Sequence, residues 1–198
     1  MPEITPQNVK LIFDHFYPTD AKTWEGFTSK LQERHFRKNE VIKDYGTTEK
    51  YLNILISGTA GLFIWNGKHD ICINLFYEND FFGDYLSFLK QEQKPLKTVA
   101  LEDIVIWSIS HTDLKFLYDS TMLGSTMARM MAETLYAKKQ EEQINLLTLT
   151  AEERYIKLIK IRPQIIQRTS LKFIASYLGV TSESLSRIRK RVTLKENI

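Results

Sequence analysis

The chain has 198 residues, enough for one medium domain and a small one. Apolar residues make up 43% and charged residues 26%, a globular balance that excludes a disordered chain. No apolar run approaches the ~20 residues of a membrane span, Met1-Pro2-Glu3-Ile4-Thr5 lacks the pattern of a secretory leader, and a lone cysteine, Cys72, excludes an internal disulfide.

The net charge of +3 is unevenly spread. Residues 150–198 hold eleven Lys/Arg and four Asp/Glu, which leaves sixteen basic and twenty acidic residues of the totals of 27 and 24 for 1–149. A basic module on a mildly acidic body suggests a polyanionic partner, although charge alone fits a solvated surface equally well. A cytoplasmic protein with no membrane partner is expected.

Residues 7–33 read as helical, with Val9, Leu11, Ile12 and Phe16 at helical spacing and Trp24, Phe27 and Leu31 after Pro18. From Phe36 to Ser110 the texture changes to short β-rich runs parted by Gly, Asn and Asp. Val41-Ile42, 51–56, 59–65, 70–77 and 98–109 are expected strands of a sandwich or barrel-like roll. Trp65-Asn66-Gly67-Lys68 is a hairpin signal of the type I′ kind, with both Asn66 and Gly67 at positive φ.

A long helix is expected from Ser120 to Leu147, which contains no Pro and only one Gly, Gly124. Leu123, Met127, Met130, Thr134, Ala137, Glu141, Ile144 and Thr148 alternate spacings of four and three, an imperfect heptad stripe. A helix of this length is longer than a small roll needs to cover itself, so part of it is expected to pair with a second copy. The candidate dimer residues are Met127, Met130, Thr134, Ala137, Glu141 and Ile144.

Thr150-Ala151-Glu152-Glu153 is a capping-box signature, and the helix it opens should run to about Ile161, before Pro163. The sharpest signal follows at 170–191. Ala175 is the small residue that two crossing helices need, and Gly179 suits a left-handed turn. Ile174, Leu178, Val180, Leu185 and Ile188 fill the wedge, and Thr181 can cap the second helix. This helix-turn-helix turns a polar and cationic face outward, as a major-groove helix requires. The candidate DNA contacts are Thr181, Ser182, Glu183, Ser184, Arg187, Arg189 and Lys190.

With these parts in order, the chain resembles the Crp/Fnr superfamily of transcription regulators, and is most similar to its short Bacteroidetes-type members. The resemblance covers nearly the whole chain and is most specific from Ile174 to Arg189. It implies an α+β fold: a cNMP-binding-like β-roll (a jelly-roll, or double-stranded β-helix) at 1–118, a dimerisation helix at 119–148, and a winged-helix-like, all-α helix-turn-helix domain at 149–198. Only Val192 to Asn197 separate the recognition helix from Ile198, so the β-wing is expected to be minimal or absent.

The family's Arg-Glu-Thr/Ser-x-x-Arg face becomes Ser182-Glu183-Ser184-Leu185-Ser186-Arg187. The resemblance implies that Arg187 forks onto a guanine and Glu183 accepts from a cytosine amine. It also implies a homodimer on a palindromic operator, with RNA polymerase as a further partner.

In cyclic-AMP-binding members a Phe-Gly-Glu-Leu cassette is followed by Arg-Ser/Thr-Ala. Here Phe82-Gly83-Asp84-Tyr85 is followed by Lys94-Pro95-Leu96, and a lysine cannot make the bidentate fork to a phosphate. The candidate pocket residues are Gly83, Asp84, Tyr85, Lys94, Thr98 and Thr134. An effector other than cyclic AMP, or none, is expected, and no cofactor is assigned.

His15, His35, His69 and His111 form no tight ligand set, so neither a metal site nor an enzyme is expected. Cys72, between Ile71 and Ile73, reads as a buried thiol. The alternative function is a cyclic-nucleotide-binding module that signals through protein partners.

Overall fold

The computed structural model describes residues 2–14 and 16–196; Met1, His15, Asn197 and Ile198 lie outside it. Helix α1 (Pro6–Phe13) starts where Thr5 caps the Asn8 N–H and proline takes the first turn. Its Phe13 stacks on Trp24 at 4.5 Å. Trp24 ends a 3₁₀ turn (Lys22–Trp24) that runs into α2 (Glu25–Thr28). The helical expectation fails after Thr28, because Gln32–Phe36 is β1, an edge strand paired with β8 (Ile104–Ser110).

Two antiparallel four-stranded sheets follow. One has the order β1-β8-β3-β6, with β3 at Tyr51–Ser57 and β6 at Phe81–Phe82. The other is β2-β7-β4-β5, with β2 at Val41–Lys43, β7 at Leu96–Ala100, β4 at Ala60–Trp65 and β5 at Asp70–Phe76. The expected single strand 98–109 is two, because Leu101-Glu102-Asp103 carries the chain from one sheet to the other.

Leu55, Phe76, Phe82 and Ile106 fill the space between the sheets. Trp24 and Trp107 are buried, whereas Trp65 is half exposed at the end of β4. In the β4–β5 hairpin Gly67 has positive φ and Asn66 does not, so the turn is not type I′. The Asn66 side chain instead accepts from the N–H groups of Lys68 and His69.

Helix α3 (Tyr85–Lys90) is capped by Asp84. Helix α4 (His111–Ser120) turns sharply into α5 (Met122–Thr148), with Thr121 capping the Gly124 N–H. The crossing explains the lone glycine of α5: a Cβ at Gly124 would lie 2.0 Å from the Leu117 carbonyl oxygen. Gly124, Met127 and Met131 are the buried residues of α5, so the helix seats on the roll through its first half only. At 27 residues it spans roughly 40 Å.

Helix α6 (Ala151–Ile161) carries the expected capping box, with Thr150 and Glu153 satisfying each other's backbone N–H groups. Then come α7 (Ile165–Arg168), α8 (Leu171–Tyr177) and α9 (Ser182–Glu196). Residues 192–196, where the wing is expected to be minimal or absent, are helical. Among the described residues no helix is long and apolar enough to cross a membrane.

Candidate nucleic-acid interface

Helix α8 ends as the chain predicts. Gly179 sits at φ +70°, and the N–H groups of Val180 and Gly179 reach back to the carbonyls of Ala175 and Ser176. This double closure reverses the chain in a tight turn. Thr181 then caps α9 by accepting from the Ser184 N–H at 3.1 Å. Ile174, Ala175, Leu178, Leu185, Ile188 and Val192 are all buried, so both helices close on one apolar wedge. Val180 packs against it partly buried.

The opposite side of α9 carries the predicted face. Glu183, Arg187 and Lys190 share one face at i, i+4 and i+7 and are exposed. Ser182 and Arg189 flank them, half-buried. Glu183 lies below the ordinary carboxylate range because its own backbone N–H, at the start of α9, and Thr181 bond to it, with Arg187 adding charge. It is therefore an ionised acceptor. Thr181 and Ser184 are engaged in the cap. Arg191 bonds Glu152 at 2.8 Å and ties α9 to α6.

The same geometry explains why this face is free. The C-terminal helices dock on the β4–β5 side of their own roll through α7 and α8, leaving α9 on the far side. Phe173 meets Phe63 edge-on at 5.3 Å, and the Cys72 N–H donates to Ser176 Oγ. Cys72 itself is buried, as read from sequence, and burial pushes its thiol up to about 12. Tyr77 and Thr169 share a buried hydroxyl hydrogen bond of 2.6 Å.

Around that bond stands a polar clasp the sequence does not announce. Arg168 holds both oxygens of Glu78 at 2.8 Å and reaches Glu102 at 2.6 Å, while Arg162 reaches Asp80 at 2.7 Å. Burial draws the Glu78 carboxyl up, but the Arg168 hydrogen bonds, the N–H groups of Glu78 itself and of Gly58, and the Arg168 charge together outweigh it and hold the group below the ordinary glutamate value. The clasp therefore stabilises docking above the ordinary glutamate value and weakens as pH falls through the lowered one. Hydrogen exchange at Thr169 and Ser170 should therefore accelerate at acid pH, and an Arg168→Gln variant should lose that acid dependence. Equal acid dependence in both proteins would show that the clasp is not its source.

The roll's candidate pocket is changed more than its motif suggests. Gly83 has φ +122°, and a Cβ there would meet Glu49 Oε2 at 3.0 Å. Asp84 does not face an open cavity. One of its oxygens caps α3 by accepting from the Ser87 N–H, and the other accepts from Lys43 Nζ at 2.9 Å. Lys43 also donates to the carbonyls of Lys94 and Leu96, which uses all its protons. Both side chains of the pair are at most 3% exposed.

Lys94, expected to meet a phosphate, has its ammonium on Glu92 instead, at 2.6 Å. The chain reverses at 91–95, so the backbone of Lys94 faces the pair while its side chain points away. Tyr85 is half-buried and stacks on Phe88. Thr98 is fully buried, and its hydroxyl and Glu49 Oε2 lack hydrogen-bond partners among the described residues. Thr134 is exposed on α5, beyond the last residue buried on the roll. Gly83, Asp84 and Glu49 are thus gathered, while Lys94 and Thr134 are not brought to them within one chain. Lys43 and Glu49 went unseen because they lie about 35 to 40 positions before the cassette in sequence.

The dimer stripe is also redrawn. Met127 is 5% exposed and packs inside its own subunit, and Met130 is half-buried, because the first half of α5 seats on the roll. Thr134, Ala137, Glu141 and Ile144 are exposed.

Residues 33–121 match the family model of the cyclic nucleotide-binding domain. No curated protein sequence matches the chain. Among solved structures, FixK2 from Bradyrhizobium japonicum is 17% identical, with 84% of this chain and 86% of that one covered and a TM-score of 0.68. The c-di-GMP-responsive global regulator CLP from Xanthomonas campestris is 16% identical, with coverage of 89% and 93% and a TM-score of 0.64. A protein from Eubacterium rectale assigned to the Crp/Fnr family of transcriptional regulators is 14% identical, with coverage of 91% and 88% and a TM-score of 0.66. The chain thus has the α+β architecture of Crp/Fnr-type regulators, as its motifs imply.

Proposed function

We propose that this chain is a sequence-specific DNA-binding transcription regulator of the cytoplasm, without enzymatic activity, that works as a homodimer. The division into a sensor roll at 1–118, a dimer helix at 119–148 and a DNA-binding domain at 149–198 is part of this reading. The observation that carries it is the exposed face of α9, with Glu183, Arg187 and Lys190 aligned outward while α8 holds the domain to the roll. An arginine and an ionised carboxylate one turn apart suit a guanine and a cytosine amine in the major groove.

Dimerisation is supported by α5 beyond Met131. Tyr136, Ile144 and Leu147 are 68%, 56% and 77% exposed, more apolar surface than one helix leaves in water without a partner. A two-fold pair would place its recognition helices on half-sites ~34 Å apart. The alternative, a cyclic-nucleotide module acting through proteins, is disfavoured because Asp84 is already occupied by Lys43.

The test is selection of a palindromic duplex, followed by fluorescence anisotropy at several salt concentrations. Arg187→Ala should relax base preference at one position of each half-site at a cost of about 1–3 kcal/mol. Unaltered base preference in that variant would refute the assignment of α9 as the reading element.

A further inference from the structure

We propose that the cleft where the second half of α5, helix α6 and strand β5 meet is an effector site, separate from the roll interior, for a small amphipathic anion. The site stands on the cleft itself; its regulatory consequence rests on the DNA-binding reading above. The cleft measures about 550 Å³, within the range of roughly 300–1,000 Å³ typical of small-molecule sites.

Its surface is mixed in a particular way. Ile73, Leu146 and Ile161, at 40%, 62% and 67% exposure, are three large apolar side chains left in water around one concavity. Leu75, Leu158 and Tyr177 line it as well. Five cations border it (Lys138, Lys139, Arg154, Lys157 and Arg162) against two carboxylates, Glu141 and Glu142.

The bookkeeping of partners sharpens the excess. Lys139 is paired with Glu142, and Arg162 with Asp80. Arg154 directs its donors to the carbonyls of Leu149 and Leu178, and among the described residues no carboxylate pairs with it. Lys157 bonds only the neutral amide oxygen of Asn145, and Lys138 has no carboxylate partner among the described residues. An apolar wall beside unmatched ammonium groups selects an aryl or acyl body carrying a single anionic head. A nucleotide would leave its many polar edges against leucine and isoleucine.

A partner subunit on the apolar side of α5 would not fill this space. Ile144 and Leu147 lie about 200° and 140° around α5 from the cleft-facing Glu142. A second copy packed on that exposed apolar side leaves the cleft open. The Lys157–Asn145 hydrogen bond crosses from α6 to α5, astride the Leu149-Thr150 joint that links them. A bound anion drawing on Lys157 sets the angle between the dimer helix and the DNA-binding helices. By linkage, operator DNA then raises the affinity for the anion by the factor by which the anion raises affinity for DNA.

The test uses the full-length chain and anilinonaphthalene sulfonate, an aryl group with a fixed negative charge that fluoresces in apolar surroundings. Saturable binding at one probe per protomer is expected, displaced by decanoate and not by decanol at the same concentration. The exposed positions Lys138, Lys157 and Leu146 allow variants that keep the fold, as far-ultraviolet circular dichroism would verify. Both Lys138→Ala with Lys157→Ala and the single change Leu146→Glu should weaken binding about tenfold or more. Non-saturable binding, equal displacement by decanol, or full affinity in both variants would overturn the proposal; in the last case the probe sits elsewhere. Anisotropy with duplex DNA is a separate measurement. Failure to bind any duplex at low salt would defeat the regulator reading and leave the cleft result standing.

Discussion

Lys43→Ala should destabilise the β-roll by about 3–5 kcal/mol, the cost of leaving a buried carboxylate without its cation. Among the described residues the ammonium of Lys43 is the sole partner of one Asp84 oxygen, and it also donates to the carbonyls of Lys94 and Leu96. Its removal strands that Asp84 oxygen where water does not reach, since the pair is at most 3% exposed, whereas the Lys94 carbonyl keeps the Gly46 N–H. Asp84 is also the cap of α3, so the carboxylate cannot swing out without undoing that helix.

Pairing Lys43→Met with Asp84→Asn should return much of the loss, because a neutral amide still caps α3 and no charge is left buried. Urea denaturation of the single and double variants measures both quantities. A loss under about 1 kcal/mol in Lys43→Ala would mean that the pair is solvated and behaves as a surface salt bridge.

Leu185→Ala should cost about 2–5 kcal/mol, concentrated in the C-terminal helices, and should abolish DNA binding. Leu185 is fully buried and sits where α9 closes on Ile174 of α8 and on Leu178, which caps it. The short α8 cannot hold its conformation alone. When the wedge empties, Gly179 and the Thr181 cap no longer fix the angle at which Arg187 is presented. Hydrogen exchange should show lost protection in α8 and α9, with β3 and β8 still protected. Uniform loss across the chain would show that the domains unfold as one unit, and retained operator affinity would show that the wedge does not set the reading helix.

The contrast between these two sites marks how far the sequence reaches. The wedge of Leu185 was legible because its determinants are local. Ala175, Gly179 and Thr181 each meet a steric or hydrogen-bonding demand within a few residues of themselves. The capping box of Thr150 and Glu153 is local in the same sense, as is the length of α5. The pair of Lys43 and Asp84 was not legible, because 41 positions separate its members. Nothing in a window of Val41-Ile42-Lys43 says that β2 will lie beside the loop before α3.

Strand β1 was lost for a related reason. Gln32-Glu33-Arg34-His35-Phe36 has little apolar alternation, and the strand exists because β8 offers it a hydrogen-bonding edge. The turn after Trp65 lies where Asn66-Gly67 signals it but is not type I′. Asn66 serves as a side-chain acceptor there, an arrangement that composition does not distinguish from a positive-φ asparagine.

By itself, then, the sequence determined the kind and order of the parts: a β-rich roll, one long helix, and a basic helix-turn-helix whose second helix shows Glu183 and Arg187. Tertiary structure alone decided how those parts engage. It turned Met127 inward and left Ile144 outward, used Lys43 to close the cassette around Asp84, and clasped Arg168 between Glu78 and Glu102. The physical reason is range. Caps, turns and amphipathic faces follow from forces between residues a turn or two apart, whereas buried ion pairs and docking surfaces depend on which distant strands the folded chain brings within about 3 Å of one another.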